Sequence, residues 1–227
     1  MFKIPNKKDM YLFETSFHLT ADTERYAKLL THYELYKKIK NVPGDIVECG
    51  VYKGTSITRF ASFRRMFETD SARKVIGFDN FNNIYPDTAF EEDQEQREKW
   101  LEEAGPDSIT VKQLSHVFDS LSFKNYEFVE GDITLSLPKY IDQNPHLRIA
   151  LLNIDIDFVE PTYCSLNLLY DRVCDGGVIL LDNYGAFHGD TKGVDDFFNE
   201  RNLELKINKF PFASRPVYLI KKGGFHE

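Results

Sequence analysis

Residues 149–184 read IALLNIDIDFVEPTYCSLNLLYDRVCDGGVILLDNY, and this stretch decides the fold. Its first run, 149–154, is apolar except for Asn153, as a strand covered on both faces should be. The run ends in Asp155 and Asp157. Pro161 stands where a first helical turn tolerates it, and Asp175-Gly176-Gly177 is expected to stop the helix. A second apolar run, 178–181, ends in Asp182 and Asn183. Strand, helix and strand with a right-handed crossover bring both acidic tips to one edge of a parallel sheet. Open α/β sheets bind ligands at that edge.

Asp155, Asp182 and Asn183 are therefore candidate ligands for a hard divalent cation such as magnesium, which prefers oxygen donors. Asp157 faces the same mouth and need not touch the ion. The ordinary alternative is that these residues turn the chain and cap helices.

A chain of 227 residues is expected to form one domain with a core that needs no staples. Its 42% hydrophobic and 14% aromatic content excludes a disordered chain. The net charge of −8, with no local basic run, argues against a nucleic-acid partner. Cys49, Cys164 and Cys174 are odd in number and lack metal-site spacing, which suits a reduced, cytoplasmic setting. The first residues lack a signal-peptide core, and no apolar run reaches membrane-spanning length.

Residues 1–19 read as an irregular, aromatic-rich arm, containing Phe2, Tyr11, Phe13 and Phe17. Residues 20–39 carry a helical stripe through Tyr26, Leu29, Leu30, Tyr33 and Tyr36, a pattern that marks core contact. Residues 1–42 thus form an arm and helix ahead of the main unit, 43–227.

The main unit opens with a strand at 45–51, a turn at Tyr52-Lys53-Gly54 and a helix capped by Thr55 or Ser56. Glu48-x-Gly50-x-x-x-Gly54 fails the glycine spacing of dinucleotide binders. A pyrophosphate wants backbone N–H groups at a helix N-terminus. An acid near the strand tip suits a cationic ligand instead. S-adenosylmethionine carries an ammonium and a sulfonium and no phosphate, and Gly50 lets backbone approach closely. Glu48, Gly50, Val51, Thr55 and Ser56 are candidate contacts for it.

A second strand, 74–78, ends at Asp79, placed to accept ribose hydroxyls. Residues 80–121 form an insertion that begins with a polar, acidic stretch, 80–105, anchored by Trp100. It is expected to be a solvated helix face or a lid over the site. Residues 109–121 read as a further helix. After a third strand at 126–129, Gly131 and Asp132 are candidates for the adenine end of the cofactor, although Asp132 also suits a helix cap. His188 follows the Asp182-Asn183 tip on a glycine-containing loop and is a candidate catalytic residue; a plain surface role is the commoner one. A helix is expected over 191–202. Runs at 203–210 and 216–221 read as a closing antiparallel hairpin. The total is seven strands, mostly parallel.

The blocks PGDIVECGVYKGTS (43–56), FDNF (78–81), LNIDIDFVEPTYCSLNLLYDRVCDGGVILLDNYG (152–185) and GVDDFF (193–198) resemble the TylF/MycF-type sugar O-methyltransferases. The resemblance implies a class I methyltransferase, Rossmann-like fold, S-adenosylmethionine as methyl donor, magnesium, a deoxysugar hydroxyl as acceptor and a homodimer. It also implies that Asp155 binds the metal and that Asp157 is the general base. The second carboxylate of the family's strand-five pair is here Asn183, as in catechol-type enzymes. Those enzymes form the alternative, but where they carry a catalytic lysine this chain has Phe158. A non-catalytic binding protein on the same fold is the second alternative.

Overall fold

The computed structural model describes residues 3–82 and 91–222. Its central sheet has six strands in the order β3-β2-β1-β4-β5-β6. They are β1 (Asp45–Cys49), β2 (Val75–Asp79), β3 (Tyr126–Glu130), β4 (Ile149–Ile154), β5 (Val173–Leu181) and β6 (Val217–Ile220). All neighbours are parallel except β5 and β6. The class I methyltransferase architecture is thus present with one strand fewer than expected. The missing strand is 203–210, which makes only an isolated bridge from Asn208 to Tyr218. Charged Glu204 and Lys206 alternate there with half-buried Leu203 and Leu205, but the inward phase then breaks down at exposed Ile207 and Lys209, and Pro211 follows directly.

The helices are α1 (Met10–Thr20), α2 (Thr23–Ile39), α3 (Thr55–Phe67), α4 (Glu91–Ala104), α5 (Val111–Ser120), α6 (Ile133–Gln143), α7 (Val159–Leu169) and α8 (His188–Glu200). The arm is therefore not irregular but largely helical. It shows its apolar side chains to solvent: Met10, Tyr11, Leu12 and Leu19 are all more than half exposed. The helix after β4 ends at Leu169, ahead of Asp175-Gly176-Gly177. Those residues lie inside β5, where the four residues between Val173 and Val178 pass opposite the single residue Ala150 between Ile149 and Leu151. Gly176 takes φ +78° in this bulge.

Period-two alternation along the strands divides the core. Val47, Cys49, Leu152, Ile154 and Leu181 face α6, α7 and α8. Ile46, Leu180 and their neighbours face α2, α3 and α5. Strand order reverses between β1 and β4, and the crevice over that reversal is where ligands are expected.

Candidate active site

A cavity of about 740 Å³ opens over the β1/β4 reversal. Its first half is built by the segments after β1, β2 and β3. Gly50, Val51, Thr55 and Ser56 line it, with Asp79, Gly131 and Asp132. Asp79 is already engaged: one carboxylate oxygen accepts from the N–H groups of Val51 (2.7 Å) and Tyr52 (2.9 Å), and the other accepts from Phe81 N–H (3.0 Å). It pins the glycine turn and keeps lone pairs for hydroxyls. Asp132 caps α6 by accepting from Thr134 N–H at 2.8 Å.

The second half is formed by Asp155, Asp157, Asp182 and Asn183, all of which line the cavity. Asn183 Nδ2 donates to Asp157 Oδ1 at 2.6 Å and to Asp155 Oδ1 at 3.4 Å. Asp157 sits at φ +75°, the left-handed region that a short polar side chain tolerates best. Its turn is wedged between close neighbours. A Cβ on Gly189 would lie 2.1 Å from the Asp157 carbonyl oxygen, and one on Gly50 would lie 1.8 Å from that of Asp155. Gly50 therefore admits the end of β4, not only a ligand.

The most informative contact was not foreseen from the sequence. Lys28 reaches down from α2 and donates to Asp182 Oδ2 at 2.6 Å and to Asp155 Oδ2 at 3.4 Å. A protein ammonium thus sits between the two acids proposed as metal ligands. Burial alone would lower the Lys28 pKa, but Asp155 and Asp182 hold it above its ordinary value. Burial would likewise raise Asp182, and the charge and hydrogen bond of Lys28 bring it below the usual carboxylate range. Asp155, raised by burial and then by Asp182, lies well above that range. Asp182 Oδ1 is buried with no hydrogen-bond partner. Among the described residues, no three acidic, histidine or cysteine side chains converge as a ready metal cage.

Two predicted residues lie outside the cavity lining. Glu48 is fully buried beneath it, opposite Asn153 in the β1–β4 register, and accepts from Ser56 Oγ at 2.6 Å. Burial pushes its carboxyl up to about 8. His188 begins α8, and its Nδ1 lies 3.1 Å from Asp93 Oδ1 on α4. The other Asp93 oxygen accepts from Val159 N–H at the start of α7 (3.4 Å). At its far end α4 is held by Tyr52, whose hydroxyl donates to the carbonyls of Ala104 (3.1 Å) and Gly105 (2.6 Å). Trp100 lines the cavity beside the Tyr52 ring, 6.1 Å between centroids. The expected lid therefore has a described helix fastened at both ends, while residues 83–90 of the same insertion lie outside the described residues.

Further polar groups crowd the site. Asp190 is buried beside Asp157, accepts from Thr162 Oγ1 at 3.0 Å, and is raised well above its ordinary pKa by burial and by Asp157. His32 is fully buried with both ring nitrogens unpartnered and stacks on Phe60. Burial and the nearby Lys28 lower its pKa to about 3, so the ring is neutral. Asp190 stands two residues after His188, the site candidate its loop offers from sequence, and His32 and Lys28 stand on a helix whose apolar stripe marks core contact.

The family model described as Macrocin-O-methyltransferase (TylF) matches residues 23–215. The chain is 30% identical over 146 residues to the 8-demethyl-8-(2,3-dimethoxy-alpha-L-rhamnosyl)-tetracenomycin-C 4'-O-methyltransferase of Streptomyces olivaceus, covering 63% of this chain and 54% of that protein. It is 29% identical over 160 residues to the demethyldecarbamoylnovobiocin O-methyltransferase of Streptomyces niveus, covering 69% of this chain and 59% of that one. The chain spans a little over half the length of these curated relatives. Among solved structures, the calicheamicin methyltransferase CalS11 superposes with a TM-score of 0.73 at 23% identity, covering 96% of this chain and 86% of that one. The O-methyltransferase NovP follows at 0.72 and 21% identity, covering 87% and 80%. At such identities the two structures speak for the fold. The family match spans most of the chain, from the helix that carries Lys28 to the loop before β6, and so the chain belongs to the macrocin-O-methyltransferase (TylF) family.

Proposed function

We propose that this chain is a metal-assisted O-methyltransferase that moves a methyl group from S-adenosylmethionine to a hydroxyl of a sugar, on a nucleotide or a natural product. One observation carries the reading: Asp155, Asp157, Asp182 and Asn183 converge beside the Gly50–Asp79 pocket in a single cavity. Asp157 is the proton acceptor, oriented by Asn183 Nδ2. It takes the hydroxyl proton as the acceptor oxygen bonds to the methyl carbon and the donor sulfur departs as a neutral thioether. Because the donor is already activated, the protein contributes chiefly orientation and exclusion of water. The latched α4 helix supports the second of these.

The donor set fits a magnesium ion in chemistry, through Asp155, the orphaned Asp182 Oδ1 and the amide oxygen of Asn183 after a flip of that group. A magnesium ion held there would supply Lewis-acid stabilisation of the acceptor alkoxide. Lys28 provides the compensating positive charge in this structure. The exposed apolar residues of α1 support pairing of two copies through the arm.

An Asp157→Asn enzyme should lose about 100-fold or more in turnover while its affinity for S-adenosylhomocysteine holds. Full turnover in that variant would remove the base from the mechanism. Activity that survives thorough EDTA treatment would remove the metal. A panel of deoxysugar nucleotides, sugar-bearing natural products and catechols separates the main reading from the catechol-type alternative. That alternative is favoured by the Asp182-Asn183 pair and by Lys28, which brings an ammonium to the acids although Phe158 supplies none.

A further inference from the structure

Asp190 is a carboxyl turned the wrong way for its place in the chain. It stands in the first turn of α8, where an acid ordinarily reaches back to the free N–H groups of its own helix or out to water. Here it is 1% exposed, and its Oδ1 accepts instead from Thr162 Oγ1, on α7, at 3.0 Å. Thr162 is itself fully buried. The Asp157 backbone N–H donates to the same carboxyl. Asp190 thus ties together α8, α7 and the turn that carries Asp157.

The glycines on either side of it bring these segments into backbone contact. Gly189 abuts Asp157 and Phe158, and a Cβ on Gly193 would lie 2.8 Å from the Val159 carbonyl oxygen and 2.9 Å from Thr162 Cβ. A carboxyl in such a seam is unfavourable unless its bonds matter, and an apolar side chain would pack there more favourably. Burial and the charge of Asp157 favour the uncharged form of Asp190, so it offers hydrogen bonds without setting a second negative charge behind the base. Helix stability does not account for this placement, but the geometry of Asp157 does. Asp157 sits at φ +75°, a conformation that a residue with a side chain keeps only where its surroundings over-determine it. Asn183 Nδ2 fixes its carboxylate at 2.6 Å. The Asp190 carboxyl holds its main chain.

We propose that Asp190 is a positioning residue for methyl transfer: from α8 it holds the backbone of Asp157 in the left-handed turn that aims the base at the acceptor hydroxyl. This rests on the reading of Asp157 as the base and deepens it.

The test follows amide hydrogen exchange at Asp157 in the full chain by nuclear magnetic resonance, together with methyl transfer to the panel acceptor that wild type turns over. Wild type, Asp190→Ala, Asp190→Asn and Thr162→Val are compared, and each variant's melting temperature is recorded to show that it folds. Asp190→Ala should exchange the Asp157 amide about 10-fold faster and turn over about 10-fold more slowly, as expected for one lost buried hydrogen bond. The acceptor KM and the affinity for S-adenosylhomocysteine should stay within about twofold, because the bond serves the base and not binding. Asp190→Asn keeps an accepting oxygen in the same place and should stay within about threefold of wild type in both rates. Thr162→Val frees one of the two bonds with little change of shape, should fall between, and decides the matter if the alanine variant does not fold. An Asp157 amide that exchanges at the wild-type rate in Asp190→Ala overturns the proposal. So does a turnover as low in Asp190→Asn as in Asp190→Ala, which would make Asp190 a proton carrier. A loss of S-adenosylhomocysteine affinity equal to the loss of turnover overturns it too, leaving only a packing role. If wild type methylates nothing in the panel, or Asp157→Asn keeps full turnover, the methyl-transfer or base reading falls instead, and the exchange rates still decide whether Asp190 holds the turn.

Discussion

Replacing Lys28 by methionine keeps most of the side-chain volume and removes the one ammonium that lies between Asp155 and Asp182. The side chain is 22% exposed and Asp182 is 6% exposed, so the pair is mostly out of water. Deleting one partner of such a pair leaves an uncompensated charge and costs about 3 kcal/mol, the lower end of the range for fully buried pairs. For a chain of this length, each kcal/mol corresponds to about 2–4 °C in melting temperature. The Lys28→Met variant should therefore melt about 6–12 °C below wild type at pH 7. The sign of the pH dependence follows from Asp182. Its folded pKa is depressed by Lys28, so it contributes stability above its unfolded pKa, and that contribution is lost as pH falls through the folded value. Without Lys28 there is no such contribution to lose. The gap between the two proteins should be widest near neutrality and should close below about pH 4. If the acids hold a divalent ion, millimolar magnesium should raise the melting temperature of Lys28→Met more than that of wild type. Thermal melts by circular dichroism across pH 3–8 decide the matter. Equal melting temperatures at pH 7, or a gap that widens in acid, would refute the counter-ion argument.

Glu48 runs the opposite way. Its folded pKa, pushed up to about 8, means stability that is full below the unfolded value and lost as pH rises through 8. Wild type should lose stability progressively between about pH 4.5 and 8, and Glu48→Gln should be flatter over that window in the same melts. Gly189→Ala would place a Cβ 2.1 Å from the Asp157 carbonyl. It should destabilise by about 1–3 kcal/mol and depress turnover more than cofactor affinity, as kinetics and calorimetry would show.

The heart of the fold could be read from residues 149–184 because both periodicity and polarity break there within a few residues. Asp155, Asp157, Asp182 and Asn183 meet because neighbouring parallel strands end in step, with Ile154 opposite Leu181. Local rules gave less where the outcome depends on distant packing. Lys28 is 127 residues from Asp155, on a helix whose apolar stripe advertised only its buried side. Glu48 sits one residue short of the strand tip, so alternation turns it into the core against Asn153 instead of into the cavity. Residues 203–210 alternate as a strand would, yet only Asn208 finds a partner, because propensity cannot show how little of β6 remains for pairing. The arm carries aromatics without a helical period that buries them, so its helix α1 escaped a reading that relies on burial.

Asp93 touches the opening residues of α7 and α8, and the turn bearing Asp157 is packed directly against both. A helix α4 that lifted from these contacts would therefore also slacken the mount of the residue proposed to receive the proton. An acceptor too small to let α4 settle would then meet a poorly aimed base, and discrimination by size would show in turnover more than in affinity.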